Sequence, residues 1–170
     1  MLDEKFCELI RSNTGCALIC AGSSSDAPHI EKVSQALQRY NIPHRVKICS
    51  AHKQVNTLMG LIDYVNALEG SVAFVAIAGG TDALSGTLSY HAFGPVISCP
   101  PDTDNPTTLL NPPGSSNATI VRARNAGRFI AQIYAGVNSE FRRILREERD
   151  KKIDSLEAAG KEWDKFSYDG

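Results

Sequence analysis

Apolar residues along this chain arrive in short continuous runs, separated by stretches in which they recur every three or four positions. Ala17-Leu18-Ile19-Cys20 and Val72-Ala73-Phe74-Val75-Ala76-Ile77-Ala78 suit buried strands in length and composition. The second run is the most continuous in the sequence, as expected of a central parallel strand covered on both faces. After the first run, Ile30, Val33, Ala36, Leu37 and Tyr40 recur at helical spacing. Asn41-Ile42-Pro43 closes that helix, because proline disfavours helical geometry in the residue before it. His44 to Cys49 predicts a second strand, and Val55, Leu58, Met59, Ile62 and Val65 a second helix behind it. A small-residue segment from Ala83 to Ala92 leads into a fourth strand, Pro95 to Cys99. Ala118 to Val121 predicts a fifth strand and Arg124 to Ala135 its helix, while Leu2 to Ile10 reads as a short outer helix. Strands alternating with helices predict an α/β fold: a three-layer, doubly wound domain around a central parallel sheet.

The pattern changes at Asn138. Residues 1–137 read as the α/β domain, and residues 138–170 as a charged C-terminal helical tail with 8 Lys/Arg and 9 Asp/Glu. Its apolar stripe, Phe141, Leu145, Ile153, Leu156 and Trp163, is narrow. A helix that polar is marginal alone in water, so the tail is expected to lie against the domain or a neighbouring subunit, or else to fray. The chain as a whole has 42% apolar and 22% charged residues and a net charge of −1. That balance offers neither a basic footprint for nucleic acid nor a polybasic membrane signal. The first residues lack a signal-peptide core, and five cysteines without a CxxC pair suggest free thiols and a cytoplasmic protein. No metal-ligand spacing is present.

Chemistry concentrates where the predicted strands end. In open α/β sheets ligands bind beyond the carboxyl ends of the strands. Here those ends read Gly22-Ser23-Ser24-Ser25-Asp26, Ser50-Ala51-His52-Lys53, Ala78-Gly79-Gly80-Thr81-Asp82 and Ser98-Cys99-Pro100-Pro101. The serine-rich turn at a helix start offers unpaired N–H groups to an anion, or is simply a cap formed by Ser25 or Asp26. His52 is the candidate acid/base, because imidazole titrates near neutrality. Lys53 either pairs with a phosphate or is solvated, and Asp26 either binds ribose hydroxyls or caps. Asp82 either orients a substrate amine or caps the next helix. His29 reads as solvated, His44 as structural, and His91 as structural more readily than functional. Residues 100–117, rich in Pro, Asp, Asn, Thr and Ser, read as a long functional loop.

These residues resemble the aminoimidazole ribonucleotide carboxylase (PurE) family. The likeness runs from about Ala17 to Ala135, through both strand-end motifs, Ala83-Leu84-Ser85-Gly86, Pro95-Val96-Ile97-Ser98-Cys99-Pro100-Pro101 and Asn125-Ala126. Lys53 after the histidine, Ala-Leu-Ser-Gly and Ser-Cys-Pro-Pro resemble class II, which carboxylates aminoimidazole ribonucleotide directly with CO2. The resemblance implies a flavodoxin-like, PurE-like fold, a homo-oligomer (octamer or tetramer), no metal and no organic cofactor. It implies His52 as the catalytic proton carrier. It also implies substrate contacts from Gly22, Ser23, Ser24, Ser25, Asp26, Ser50, Ala51, Lys53, Gly79, Gly80, Asp82, Ala83, Leu84 and Ser85. The alternatives are the class I mutase reaction on N5-carboxyaminoimidazole ribonucleotide and a nucleotide-binding relative without catalysis. Two departures from class II stand out. Gly80-Thr81-Asp82 replaces Arg-Ser-Asn, and the segment Thr108 to Gly114 is shortened and lacks an arginine.

Overall fold

Five parallel strands form one sheet in the order β2-β1-β3-β4-β5 in the computed structural model, which describes residues 2–102 and 104–168. They are β1 (Ala17–Ala21), β2 (His44–Ile48), β3 (Ala73–Ile77), β4 (Val96–Ser98) and β5 (Ala118–Thr119). This is the flavodoxin-like strand order, with the chain reversing direction between β1 and β3. Six helices complete the layers: α1 (Glu4–Arg11), α2 (Ala27–Gln38), α3 (Val55–Asn66), α4 (Ala83–His91), α5 (Ala123–Tyr134) and α6 (Ser139–Trp163).

The alternation of side chains along each strand divides the core in two. Ala17, Ile19 and Ala21 of β1, with Ala73, Val75 and Ile77 of β3, pack against Val33 and Leu37 of α2 and Ile130 of α5. Leu18 and Cys20, with Phe74 and Ala76, face Phe6 and Ile10 of α1, Leu58 and Ile62 of α3, and Leu84 and Leu88 of α4. β1 and β3 are buried at every position, whereas the edge strand β2 leaves Val46 and Ile48 partly exposed. Arg45 on that edge bonds both carboxylate oxygens of Asp3 and lies over the Phe6 ring, which ties α1 to β2.

Several expectations needed adjustment. The segment Ala83–His91 is a helix despite its small residues, because Asp82 caps it and Leu84 and Leu88 give it a buried face. The fifth strand is only two residues long; β4 offers it only the pair Ile97 and Ser98. The tail is one continuous 25-residue helix. Its first turns belong to the core: Asn138 caps it, Phe141 is buried, and Ile144 and Leu145 pack alongside. Two turns later Glu148 receives the Tyr40 hydroxyl and pairs with Arg39 and Arg128. From Lys151 to Tyr168 only Ala159 is even half-buried. All five cysteines are free and buried, and burial pushes the Cys16, Cys20 and Cys99 thiols up to about 12. None of those three carries a thiolate at neutral pH.

Candidate active site

The strand register brings the polar turns together. Ala21 stands abreast of Ile48 on one side and Ile77 on the other. The ladders extend one residue further, since Gly22 N–H donates to Ile77 O and Cys49 N–H to Ala21 O. Strands in a sheet are about 4.8 Å apart, so the three turns leaving β1, β2 and β3 start side by side. Between them is an open cleft of about 300 Å³ lined by Gly22, Ser23, Ser25, Asp26, Ser50–Lys53, Ala78, Gly79, Thr81, Ala83 and Leu84. His52 and the serine turn therefore share one wall-to-wall space.

Each turn is held by its own side chains. The Ser23 hydroxyl oxygen accepts from the Ser25 N–H at 3.2 Å and from the Ser25 hydroxyl at 2.8 Å, shaping the turn that enters α2. Ser23 thus caps the short 3-10 turn Ser24–Asp26, while Asp26 holds the N-cap position of α2 without a side-chain bond. The Asp26 carboxylate makes no capping bond to α2 and stays available to a ligand. On the second turn, Ser50 Oγ accepts from the Lys53 N–H, and the Ser50 N–H donates to the Gln54 side chain. The His52 ring is exposed and makes no hydrogen bond among the described residues. Among the described residues lining the cleft, Lys53 is the one side-chain ammonium.

Four of the expected contact residues lie off the cleft wall. Ser24 is exposed but not part of the cleft wall, and Gly80, at φ +63, is likewise absent from it. Ser85 is fully buried under α4. Asp82 is turned inward and only 6% exposed. One carboxylate oxygen accepts from the Ser85 N–H and the other from the Ser98 hydroxyl, both at 2.9 Å. Capping α4 and tying it to β4 engages both oxygens, and the side chain is buried and absent from the cleft wall. Asp82→Asn keeps one acceptor for α4 but loses the charge-assisted bonds, and should cost about 1 kcal/mol in a denaturant titration. KM for substrate should not change; a raised KM at unaltered stability would return Asp82 to substrate binding.

Ala78 and Thr81 line the cleft without having been singled out, and the 100–117 loop forms a strap behind the third turn. Asn105 Nδ2 and the Thr107 hydroxyl both donate to Gly80 O, the Asp82 N–H donates to Thr107 Oγ1, and Asp102 accepts from the Gly80 N–H. The polar composition of 100–117 signalled this loop, but not which turn it would bind. A Cβ at Gly79 would meet Asp102 Oδ2 at 2.8 Å, so a side chain there would push the Asp102 carboxylate aside.

His29 is half-buried rather than fully solvated. Its Nε2 lies 3.1 Å from Cys99 O, locking the start of α2 to the end of β4. Burial, the largest influence, holds its pKa below the ordinary value, against the opposing pull of that hydrogen bond. The folded protein thus keeps His29 neutral at a pH where the unfolded chain takes up a proton. Stability from this source is fully present above about pH 6.5 and falls on acidification. Urea midpoints measured from about pH 7.5 to 5 should fall less steeply for His29→Gln than for the parent; equal slopes would discard the assignment. His44 is structural, placed between Ser34 Oγ and Ile42 O, and the His91 carbonyl accepts from Asn66.

The family model for AIR carboxylase matches residues 17–155. The chain belongs to the AIR carboxylase family. Phosphoribosylaminoimidazole carboxylase of Treponema denticola is 32% identical over 129 residues, covering 72% of this chain and 81% of that protein. The enzyme of the same name from Archaeoglobus fulgidus is 30% identical over 125 residues, 70% of this chain and 68% of that protein. A bifunctional phosphoribosylaminoimidazole carboxylase/phosphoribosylaminoimidazole succinocarboxamide synthetase of Rattus norvegicus is 33% identical over 138 residues, but the chain spans only 32% of its length. The crystal structure of Treponema denticola PurE superposes with a TM-score of 0.80 at 27% identity, covering 89% of this chain and 97% of that one. The AIR carboxylase match extends into α6, whose first turns the fold already places in the core.

Proposed function

We propose that this chain carboxylates 5-aminoimidazole ribonucleotide with CO2, reversibly, to 4-carboxy-5-aminoimidazole ribonucleotide in de novo purine biosynthesis. The observation that carries the reading is the cleft itself: an unengaged imidazole and a serine-rich helix start face one space. In the proposed mechanism the 5′-phosphate rests on the Ser23–Ser25 turn that leads into α2, where the helix dipole favours negative charge. Asp26 accepts from the ribose hydroxyls, and Lys53 supports the phosphate. The electron-rich ring carbon beside the exocyclic amine attacks the carbon of CO2; one C–C bond forms and a C=O π bond becomes a carboxylate. That ring carbon is then tetrahedral and still carries its hydrogen. His52 takes this proton, the C–H electrons return to the ring, and aromaticity is restored. In reverse, His52 protonates the ring carbon and CO2 leaves. The small side chains at Gly79 and Ala83 leave room for CO2 beside the ring.

Incubating the chain with the ribonucleotide and ¹⁴CO2 in the absence of ATP tests this directly. Label in the product is the expected result. Turnover of N5-carboxyaminoimidazole ribonucleotide alone would instead assign the mutase reaction. Ribonucleotide binding in a calorimeter with neither turnover would assign a non-catalytic binder.

The same reading makes the protein a cytoplasmic homo-oligomer, a tetramer or octamer. Partly exposed Val46 and Ile48 on the β2 edge, and exposed Ile153, Leu156 and Trp163 on the free half of α6, support the oligomer. Among the described residues, no helix is long and apolar enough to cross a membrane.

A further inference from the structure

A second cavity is larger than the cleft described above. It is an open hollow of about 670 Å³ where the C-terminal end of α2, the first turns of α5 and the middle of α6 meet. It shares no residue with the catalytic cleft. Its charge is lopsided. Glu148 at its base receives the Tyr40 hydroxyl and forms ion pairs with Arg39 and Arg128, and Arg149 is paired with Asp150. Arg122, Arg124, Lys151 and Lys152 also line the hollow, and among the described residues none of the four has a carboxylate within 4.0 Å. Two come from the entry to α5 and two from α6, so two separate elements bring cations to the hollow.

A chain with net charge −1 gains nothing in stability from gathering four uncompensated cations around one concavity. Like charges held together repel, and an anion between them relieves the repulsion that water and salt only weaken. Guanidinium groups favour phosphate, which they bind through two parallel N–H bonds. The volume lies in the range of small-molecule sites, and the cations surround a hollow rather than track along a face as in nucleic-acid binders.

We propose that this hollow binds a small, multiply phosphorylated anion with at least three negative charges, either an inorganic polyphosphate or the phosphate chain of a nucleoside triphosphate. Bound there, the anion joins α2, α5 and α6 and pins α6 to the domain.

The test is calorimetric titration of the full chain with inorganic tripolyphosphate, ATP and AMP, alongside thermal melts. The expected result is one site per chain for tripolyphosphate, with AMP at least about tenfold weaker and the melting temperature rising with occupancy. ATP binding as tightly as tripolyphosphate assigns recognition to the phosphates; tighter ATP binding adds the nucleoside to the ligand. Saturating aminoimidazole ribonucleotide should not displace either anion. The exposed pair Arg124→Ala/Lys152→Ala should weaken binding at least about tenfold and leave carboxylation unchanged; charge reversal to Glu at both positions should abolish binding. Any of four results overturns the proposal: no binding at low ionic strength, displacement by the ribonucleotide, equal affinity in the variants, or a changed oligomeric mass in the variants without anion binding. The last would assign the hollow to an acidic surface of a second copy. These readouts do not depend on turnover, so they stand apart from the outcome of the carboxylation assay.

Discussion

Replacing His52 by Asn should reduce carboxylation by about 10²- to 10⁴-fold while leaving the fold intact, as expected when a positioned general acid/base is removed. Asparagine keeps a polar side chain of similar reach but cannot accept and return a proton near neutral pH. Folding should be unaffected, because the ring is exposed and makes no hydrogen bond within the described chain. The loss should fall on kcat rather than KM, since phosphate and ribose are held by the other turn. Circular dichroism and melting curves matching the parent, together with the lost turnover, complete the expected result. Activity within a few-fold of the parent would end the proton-transfer role and with it the proposed mechanism.

Gly127→Ala should destabilise the domain by about 2 kcal/mol, although glycine to alanine inside a helix normally helps. Alanine's better helix propensity is worth about 1 kcal/mol. Against this, a Cβ on Gly127 would stand 2.1 Å from the Ala36 carbonyl oxygen and 2.5 Å from its carbon. Both partners are backbone, so no rotamer change relieves the clash, and α5 must move away from α2. Overpacking of this kind costs about 3 kcal/mol, and the clash wins. For a chain of this size the melting temperature should fall by about 4 to 8 °C. Gly60→Ala is the control: it lies inside α3 with nothing within 4 Å, so only the propensity gain remains and the sign reverses. A rise in melting temperature for Gly127→Ala would mean that α2 and α5 are not in backbone contact.

Wherever the physics is local, the primary structure was enough. β1 and β3 announce themselves as apolar runs because both faces of a central parallel strand are covered. The polar turns after β1, β2 and β3 were readable for a related reason: in an α/β sheet all these turns emerge on one edge. Contacts between distant positions were hidden. Asp26 and Asp82 are both acids preceding a helix, and the amino-acid order treats them alike. Only folding separates them, by bringing the Ser98 hydroxyl to Asp82 and leaving Asp26 without a cap bond. His29 resembled a solvated first-turn residue until the end of β4, 70 positions away, supplied the Cys99 carbonyl.

The basic hollow was the hardest feature to anticipate. Arg39, Arg124 and Lys152 lie on three separate helices, and an overall charge near zero concealed their convergence. The amino-acid order by itself determined the element succession, the α/β class and the chemical inventory of the strand ends, because those depend on periodicity and on near neighbours. Tertiary structure alone decided which carboxylates and imidazoles are engaged by the protein and which are left for ligands, because that depends on packing partners far away in the chain.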